Sequence, residues 1–187
     1  VDATVGLGGH AAALLEAAPG FRLLGLDRDP AALSRARERL GSFGARVELV
    51  ESPFDRLPAV LAARGGPTPV ALLADLGCSS LQLDSPERGF SFQSDGPLDM
   101  RMGATGRSAA ALLAEVAPEE LVTILRDFGE ERRARVIARA IVGRREQRPI
   151  TTTGELAGLV RQVLGHPPGQ RIHPATRTFQ ALRIAVN

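Results

Sequence analysis

The sequence predicts an α/β fold in which helices cover a parallel sheet and an all-helical subdomain is inserted into the chain. Two observations lead to this prediction. Up to residue 77, short apolar strands alternate with amphipathic helices across short connections, as in parallel sheets with right-handed crossovers. From residue 108 to 164 the pattern is helical throughout. We therefore assign residues 1–105 and 171–187 to the α/β domain and residues 106–170 to the helical subdomain.

The α/β part begins with a strand end, a glycine turn and a helix in "VDATVGLGGHAAALLEAAPG". "FRLLGLD" is the next strand, and Asp29 and Pro30 supply an N-cap and a first-turn proline for the following helix. "RVELVES" predicts a third strand and "DRLPAVLAAR" a short helix. "VALLADLG" is a continuous apolar run, which predicts a fourth strand buried on both faces.

The helical block divides into segments at proline, glycine and capping signals. The predicted helices are Ser108–Val116, Pro118–Phe128, Glu130–Gln147 and one that opens with the capping box Thr152-x-x-Glu155. A further helix is expected in "FQALRIAVN". Since the first residue is not methionine and the last ones read as helix, we expect a fragment that lacks the first part of strand 1 and the C-terminal strands.

Composition narrows the class of protein. No apolar run approaches the roughly 20 residues of a membrane helix, and the single cysteine, Cys78, excludes an internal disulfide. We therefore expect a soluble, cytoplasmic protein without a membrane partner. Every basic residue is arginine, and residues 126–187 hold 12 arginines against five acidic residues. Such a local excess is the electrostatic footprint of a phosphate-backbone partner.

The glycine turn and the acidic residues at strand ends predict a nucleotide-like ligand. Gly6, Gly8 and Gly9 lie between a strand and a helix, where bare backbone N–H groups can approach a ligand. Asp27 ends the second strand and can accept hydrogen bonds from ribose hydroxyls. NAD and S-adenosylmethionine (AdoMet) both fit this pattern. Asp2 and Asp75 favour AdoMet, because its ammonium and sulfonium attract carboxylates whereas pyrophosphate is repelled. A structural turn and a solvated strand-end acid are the alternative interpretations.

Further polar residues follow the fourth strand and the glycine turn. In "DLGCSSLQLD", Ser79, Ser80 and Gln82 are candidate hydrogen-bonding groups for the cofactor or a base, or ordinary turn residues. Cys78 has no activating neighbour in the sequence and is interpreted as an inert thiol. His10, at a helix start, either faces the ligand crevice or caps the helix.

Several long motifs resemble one family in order and over essentially all 187 residues. They are "DATVGLGGH", "GLDRDP", "DLGCSSLQLDSPERGFSFQSDGPLDMRM", "GEERRARVIARAI" and "HPATRTFQALRIAVN". The chain is similar to the bacterial small-subunit (16S) rRNA cytosine-N4 methyltransferase family, RsmH or MraW. Cys78 stands where that family has a small aliphatic residue, and a Phe-His-Ser-Leu-Glu-Asp motif of its C-terminal part is absent.

The resemblance implies a Rossmann-like class I AdoMet-dependent methyltransferase fold with a helical insertion. It also implies methylation of the exocyclic N4 of one cytidine in the decoding region of 16S rRNA, within the small ribosomal subunit. The cofactor contacts that it implies fall on Gly8, Gly9, His10, Asp27, Phe54, Asp75 and Gln82. The oligomeric state stays open, a homodimer included.

On this view the loop "RGFSFQSDGPLDMRM" receives an unstacked cytosine. Phe90 or Phe92 would stack on the base, and Arg88 or Arg101 would contact phosphates. In the alternative, both phenylalanines are plugs of a loop folded on itself. The candidate acceptors that could polarise the amino group lie near the fourth strand and in the loop: Asp75, Ser79, Ser80, Asp95 and Asp99.

Other candidate RNA contacts lie on two predicted helices. Arg132, Arg135 and Arg139 would share a face, either against RNA phosphate or in solvent beside acidic neighbours. His173 and Arg177 share a face of the predicted terminal helix, where they would line either the same cleft or the hinge of the subdomain. Competing functions are a methyltransferase for another polar acceptor, a nicotinamide-dependent oxidoreductase, and a non-catalytic RNA-binding module.

Overall fold

The computed structural model describes residues 1–165 and 172–187. The chain divides into two compact units, Val1–Ser79 and Ser80–Asn187. The predicted combination of helices with a parallel sheet is confirmed. The division differs from the assigned domains, because the segment after Ser80 packs into the helical unit. The predicted boundary at 170 and 171 lies outside the described residues, and the domain assignment stays a prediction.

The first unit alternates helix and strand in the predicted order. Its elements are α1 (Gly9–Ala17), β1 (Leu23–Asp27), α2 (Pro30–Leu40), β2 (Val47–Glu51) and α3 (Leu57–Arg64). The predicted start of α2 is confirmed: Pro30 occupies the first turn and the Asp29 carboxylate accepts a hydrogen bond from the Ala31 N–H (3.0 Å). α1 and α2 pack against β1 and against each other, and Leu15 on α1 and Leu33 on α2 are fully buried.

Parallel pairing fixes the order of segments in this unit. β1 and β2 pair in parallel with Leu23 opposite Val47. Asp2 forms parallel bridges on both sides, to Gly25 and to Leu73. The order across the sheet is therefore β2, β1, the segment at residue 2 and the segment at residue 73. All four segments run in the same direction.

The fourth predicted strand is not formed as expected. Among the described residues, the segment 70–77 forms a bridge only at Leu73, whose backbone bonds to Val1 and Ala3. The Val1 amino group donates one more hydrogen bond to the Ala71 carbonyl (2.9 Å). Val70, Leu72 and Leu76 are 91%, 63% and 69% exposed, so the prediction of burial on both faces is wrong here. An apolar run indicates a preference for burial, but a strand also needs a continuous ladder of partners. The predicted strand at residues 1–4 is likewise reduced to the bridges of Asp2.

Among its described residues, the second unit contains helices, an irregular loop over residues 89–108 and one isolated bridge between Pro97 and Thr152. Its helices are α4 (Ser80–Asp84), α5 (Ala109–Glu115), α6 (Pro118–Asp127), α7 (Ala134–Gln147), α8 (Thr153–Leu164) and α9 (Thr176–Val186). The predicted capping box is confirmed, since Thr152 accepts from the Glu155 N–H and the Glu155 carboxylate accepts from the Thr152 N–H. The third predicted helix is shorter than expected. Glu130 has a φ of 51°, a left-handed conformation that breaks the helix, and α7 starts only at Ala134.

The core of this unit incorporates part of the loop before α5. Leu98 and Met100 are buried with Leu125, Leu156 and Phe179. No helix of the described residues is long and apolar enough to cross a membrane.

Candidate functional site

The glycine turn of the first unit is held by Asp27. The Gly6 N–H donates to Asp27 Oδ2 (2.8 Å) and the Asp29 N–H donates to Oδ1 (2.9 Å). Gly8 has a φ of 77°, and a Cβ at this position would approach the side chain of Leu40 to 3.2 Å. A residue with a side chain would therefore strain the turn and push it off α2. Asp27 thus has a structural role that the sequence did not reveal. Its oxygens keep lone pairs for a ribose hydroxyl, because a carboxylate offers about four acceptor positions.

Two more acidic residues lie beside this turn. Asp2 is 1% exposed, and burial raises the pKa of its carboxyl above the ordinary value, although the Thr4 N–H bond and the nearby His10 oppose the shift. The Asp75 N–H donates to the Thr4 hydroxyl (2.7 Å). The Asp75 carboxylate lies 3.9 Å from His10 Nδ1, with 65% of the His10 side chain and 66% of the Asp75 side chain exposed. The predicted association of His10 with the ligand side of the turn is consistent with this geometry.

The candidate cofactor residues of the first unit follow one rule of position. Asp27 ends β1, Phe54 comes three residues after β2, and Asp75 comes two residues after the bridge at Leu73. Since all these segments run parallel, the three residues lie at the carboxyl-end edge of the sheet, where open α/β sheets bind ligands. The Phe54 ring is 52% exposed, so it offers an apolar face at this edge. We call the set Gly6, Gly8, Gly9, His10, Asp27, Phe54 and Asp75 the carboxyl-edge site.

The remaining candidates near the end of the first unit are less informative. Ser79 is half-buried and Ser80, the first residue of α4, is exposed. Gln82 lies in α4 of the second unit and is 4% exposed. Cys78 is half-buried. These assignments stay predictions.

The loop of the second unit is folded on itself. Phe90 is 0% exposed, so its ring has no free face for a base, and the plug interpretation holds for it. The Phe92 ring is partly buried and packs at 4.7 Å from the His173 ring and 4.8 Å from the Phe179 ring, measured between ring centroids. Only Phe92 of the two phenylalanines keeps exposed surface.

The charged loop residues have internal partners that the sequence did not show. Arg101 donates to both carboxylate oxygens of Asp99, through Nε (2.8 Å) and Nη2 (2.6 Å), and these bonds lower the pKa of Asp99. Arg88 donates to the carbonyls of Arg101 and Met102. Asp95 accepts from the Gly154 N–H (2.7 Å) at the start of α8, which lowers the pKa of Asp95.

Two of the candidate amino-group acceptors are therefore reassigned. Asp95 caps a helix and Asp99 neutralises Arg101. The Arg101 guanidinium occupies both oxygens of Asp99. Asp95 Oδ1 accepts from Gly96, Thr153 and Gly154 together, so both carboxylates have structural tasks. Arg101 likewise keeps little free charge for a phosphate.

The candidate RNA contacts on helices are also corrected. Arg132 precedes α7, so it does not share a helical face with Arg135 and Arg139, which are exposed one turn apart. His173 precedes α9 and its Nδ1 accepts from the Ala175 N–H (3.1 Å). Arg177 donates to the Glu130 carbonyl (3.2 Å), where it holds the turn before α7.

The comparison with protein families places the whole chain in one family. The family model described as the MraW methylase family matches residues 1–187. The chain belongs to this family. The match covers the glycine turn, the strand-end acids and the loop together, which agrees with the resemblance found in the sequence motifs.

Individual relatives of this MraW-family chain carry a more specific name. Proteins named ribosomal RNA small subunit methyltransferase H from Methylobacterium sp. strain 4-46 and from Rhodopseudomonas palustris CGA009 are each 50% identical over 187 residues, which is all of this chain and 56% of the relative's length. The protein of that name from Methylobacterium nodulans is also 50% identical, over 55% of its length. The chain thus spans about half the length of the curated relatives that it matches.

Sequence reasoning missed Thr4, which links the glycine-turn segment to Asp75 through its hydroxyl. The signal was present, because a threonine two residues after a strand-end aspartate can bond to a neighbouring segment. In this MraW-family chain the threonine fixes the backbone that carries the Asp75 carboxylate.

Proposed function

We propose that the carboxyl-edge site binds AdoMet and that the protein transfers its methyl group to the exocyclic N4 of a cytidine in 16S rRNA, within the small ribosomal subunit in the cytoplasm. The observation that carries this proposal is the combination of a bare glycine turn with the Asp27 and Asp75 carboxylates at one edge of a parallel sheet. The buried Asp2 carboxylate precedes the same turn. Family membership and the names of the relatives support it.

The residues of the site fit AdoMet better than a dinucleotide. Asp27 suits ribose hydroxyls, the half-exposed Phe54 ring suits an adenine face, and the acidic groups suit an ammonium and a sulfonium. Three carboxylates outnumber the Arg39 guanidinium, which lies beside Gly9, so the pyrophosphate of NAD would meet an excess of negative charge. The nicotinamide-dependent alternative is therefore disfavoured on charge.

The order of parallel segments supports a Rossmann-like class I methyltransferase fold. Counting residue 2 as segment 1, β1 as segment 2, β2 as segment 3 and residue 73 as segment 4, the neighbours read 3-2-1-4. This is the order of half of a doubly wound sheet, and its reversal next to segment 1 is the switch point where such sheets bind ligands. The glycine turn follows segment 1, in agreement with this rule.

AdoMet supplies an electrophilic methyl group on a sulfonium. The N4 amino group of cytosine is a weak nucleophile, since its lone pair is delocalised into the ring. The lone pair forms the new C–N bond, the methyl–sulfur bond breaks with its electrons going to sulfur, and the surplus N4 proton leaves to water. The protein's main contribution is to hold donor and acceptor in line at about 3–3.5 Å.

An acceptor close to the amino group would stabilise the positive charge that develops on N4. With Asp95 and Asp99 reassigned, Asp75, Ser79 and Ser80 remain candidates for this role. Asp75 is the strongest of them, because its carboxylate is exposed while its backbone is anchored by Thr4.

Replacing Asp2 by asparagine tests the acidic character of the site. Because burial raises the pKa of Asp2 above 3.8, ionisation costs folding free energy, and the native state loses stability as pH rises from the unfolded pKa through the folded one. The variant lacks this loss, so its stability relative to the original protein should increase between about pH 3 and about pH 7. Urea denaturation at both pH values measures it.

The same variant should bind AdoMet roughly 10-fold to 100-fold more weakly, since an anionic group near the donor's positive charges is lost. Calorimetric titration checks this result. Unchanged affinity together with a flat pH difference would contradict an electrostatic role for Asp2.

Phe92→Ala tests the loop. We expect slower turnover of RNA with AdoMet affinity close to normal, and a stability loss of about 2 kcal/mol because the ring is only partly buried. Phe92→Leu is the matched control, since it keeps apolar packing against Phe179 but removes the stacking face. A loss of AdoMet binding in the alanine variant, or equal turnover for leucine and phenylalanine, would favour the plug interpretation.

The decisive assay for the reaction uses labelled AdoMet and small ribosomal subunits that lack the modification, with the protein or any longer chain that contains it. Nucleoside analysis should recover N4-methylcytidine. Label in another nucleoside, in DNA or in protein would support the alternative methyltransferase, and RNA binding without transfer would support the non-catalytic module.

A further inference from the structure

A polar groove lies between the C-terminal end of α7 and the outer face of α8. It has a volume of about 510 Å³, and a single aliphatic side chain, that of Leu159, lines it. The other lining residues are Arg144, Arg148, Gly154, Glu155, Gly158, Arg161 and Gln162. We call it the α7–α8 groove. Its chemistry suits an anion rather than an apolar ligand, since small-molecule pockets are predominantly hydrophobic.

The arginines of the groove differ in whether their side chains have partners within the protein. Within the described residues, the side chains of Arg144 and Arg161 have no hydrogen bond or ion pair. Arg148 contacts Glu155 (3.0 Å). Arg145 shows the contrast, because its guanidinium donates to the Leu113 and Val116 carbonyls and serves the fold. Arg144 and Arg161 therefore supply charge that packing does not require.

Glu155 offsets only one of the positive charges of the groove. The N–H of Thr151 lowers the pKa of the Glu155 carboxyl, together with Thr152 and Arg148, so it stays ionised and occupied as the cap of α8. Three guanidinium groups against one carboxylate leave the groove with an excess of two positive charges. Arg148 retains further N–H donors, since a guanidinium carries five.

The occupant that fits is a phosphodiester backbone. Guanidinium groups recognise phosphate by paired N–H donors. The groove has no aromatic side chain on which a base could stack, which argues against reading of base identity. Gly158 adds open space, because a Cβ there would have no neighbour within 4 Å. We propose that the α7–α8 groove binds the RNA backbone independently of base sequence, as a docking surface for the RNA substrate of the proposed function on which this inference rests.

This surface is separate from the arginines that the sequence singled out. At about 100° per residue, Arg144 is turned by roughly 140° around α7 from Arg139. Arg135 and Arg139 are exposed on one flank of α7, whereas Arg144 lies on the flank next to α8. Effects of the two pairs can therefore be measured independently.

The test compares a double variant, Arg144→Ala with Arg161→Ala, and the unaltered protein in binding fluorescent single-stranded U-rich and A-rich oligoribonucleotides over a range of salt concentrations. We expect roughly 10-fold weaker binding at about 0.1 M salt and a slope of log K against log salt reduced by about 1.4, that is 0.7 for each lost phosphate contact. Both oligonucleotides should respond alike, and the affinity for AdoMet should not change. Arg144→Lys with Arg161→Lys should recover most of the salt slope.

The matched control is Arg35→Ala with Arg37→Ala, which removes the same charge from exposed positions on α2 and should leave RNA binding within about twofold. Three results would overturn the proposal. The first is an unchanged salt slope in the groove variant, and the second is an equal loss of RNA affinity in the control. The third is binding of polyglutamate that depends on the groove more than RNA binding does. Failure of the proposed function looks different: the groove variant would still lose RNA binding, while the unaltered protein would transfer no methyl group.

Discussion

Asp27→Ala is expected to reduce AdoMet affinity by at least about 100-fold and to lower the free energy of unfolding by about 3 kcal/mol. The reason is that one carboxylate has two tasks. It accepts the N–H groups of Gly6 and Asp29 at 2.8 and 2.9 Å, and in our proposal it also holds the ribose hydroxyls. Without it, the glycine turn loses its anchor and two partly buried N–H donors lose their partner. Calorimetric titration and urea denaturation measure the two losses.

Asp29→Ala is the control for this experiment. It removes the N-cap of α2, whose carboxylate accepts from the Ala31 N–H, and should cost about 1 kcal/mol of stability with little change in AdoMet affinity. If Asp27→Ala binds AdoMet as tightly as Asp29→Ala does, Asp27 is not a cofactor residue and only stabilises the glycine turn.

Gly89→Ala is expected to destabilise the second unit by more than about 3 kcal/mol and to abolish RNA methylation. Gly89 has a φ of 69°, and a Cβ at this position would collide with the backbone of Pro97 and Asp99. Backbone cannot give way as a flexible side chain can, so the loop that buries Leu98 and Met100 would have to open. The melting temperature and exposure of the loop to protease are the measurements.

Gly65→Ala is the control that separates the cost of a left-handed backbone conformation from the cost of a steric clash. Gly65 has a similar φ of 57°, but a Cβ there would have no neighbour within 4 Å. This control should cost only about 1 kcal/mol, the ordinary penalty of the left-handed conformation. Equal losses in the two variants would mean that the packing of Gly89 against residues 97 and 99 contributes nothing.

Local signals predicted much of the fold. The strands β1 and β2, the Asp29-Pro30 start of α2 and the capping box of α8 are confirmed. Each depends on residues within a few positions of one another, so periodicity and capping rules suffice. Most positions of the carboxyl-edge site follow from the ends of parallel segments, whereas Phe54 came only from the resemblance to the family. The roles of these residues stay predictions.

Long-range contacts account for what the sequence did not predict. Burial of Phe90 and the bond from Asp95 to Gly154 depend on segments about 60 or more positions apart, as in the contact of Arg183 with the Phe90 carbonyl. The exposure of Val70 depends on which segments pair beside it, and an apolar run contains no information on that point. Arg132 was misplaced because the left-handed Glu130 interrupts a helical pattern that looks continuous.

Separate calorimetric titrations with AdoMet and with NAD test the central claim most directly. The account predicts one AdoMet bound per chain, weakened by Asp27→Ala and by Asp2→Asn, and no measurable heat with NAD. Binding of NAD in preference to AdoMet, or AdoMet binding that neither substitution changes, would contradict it.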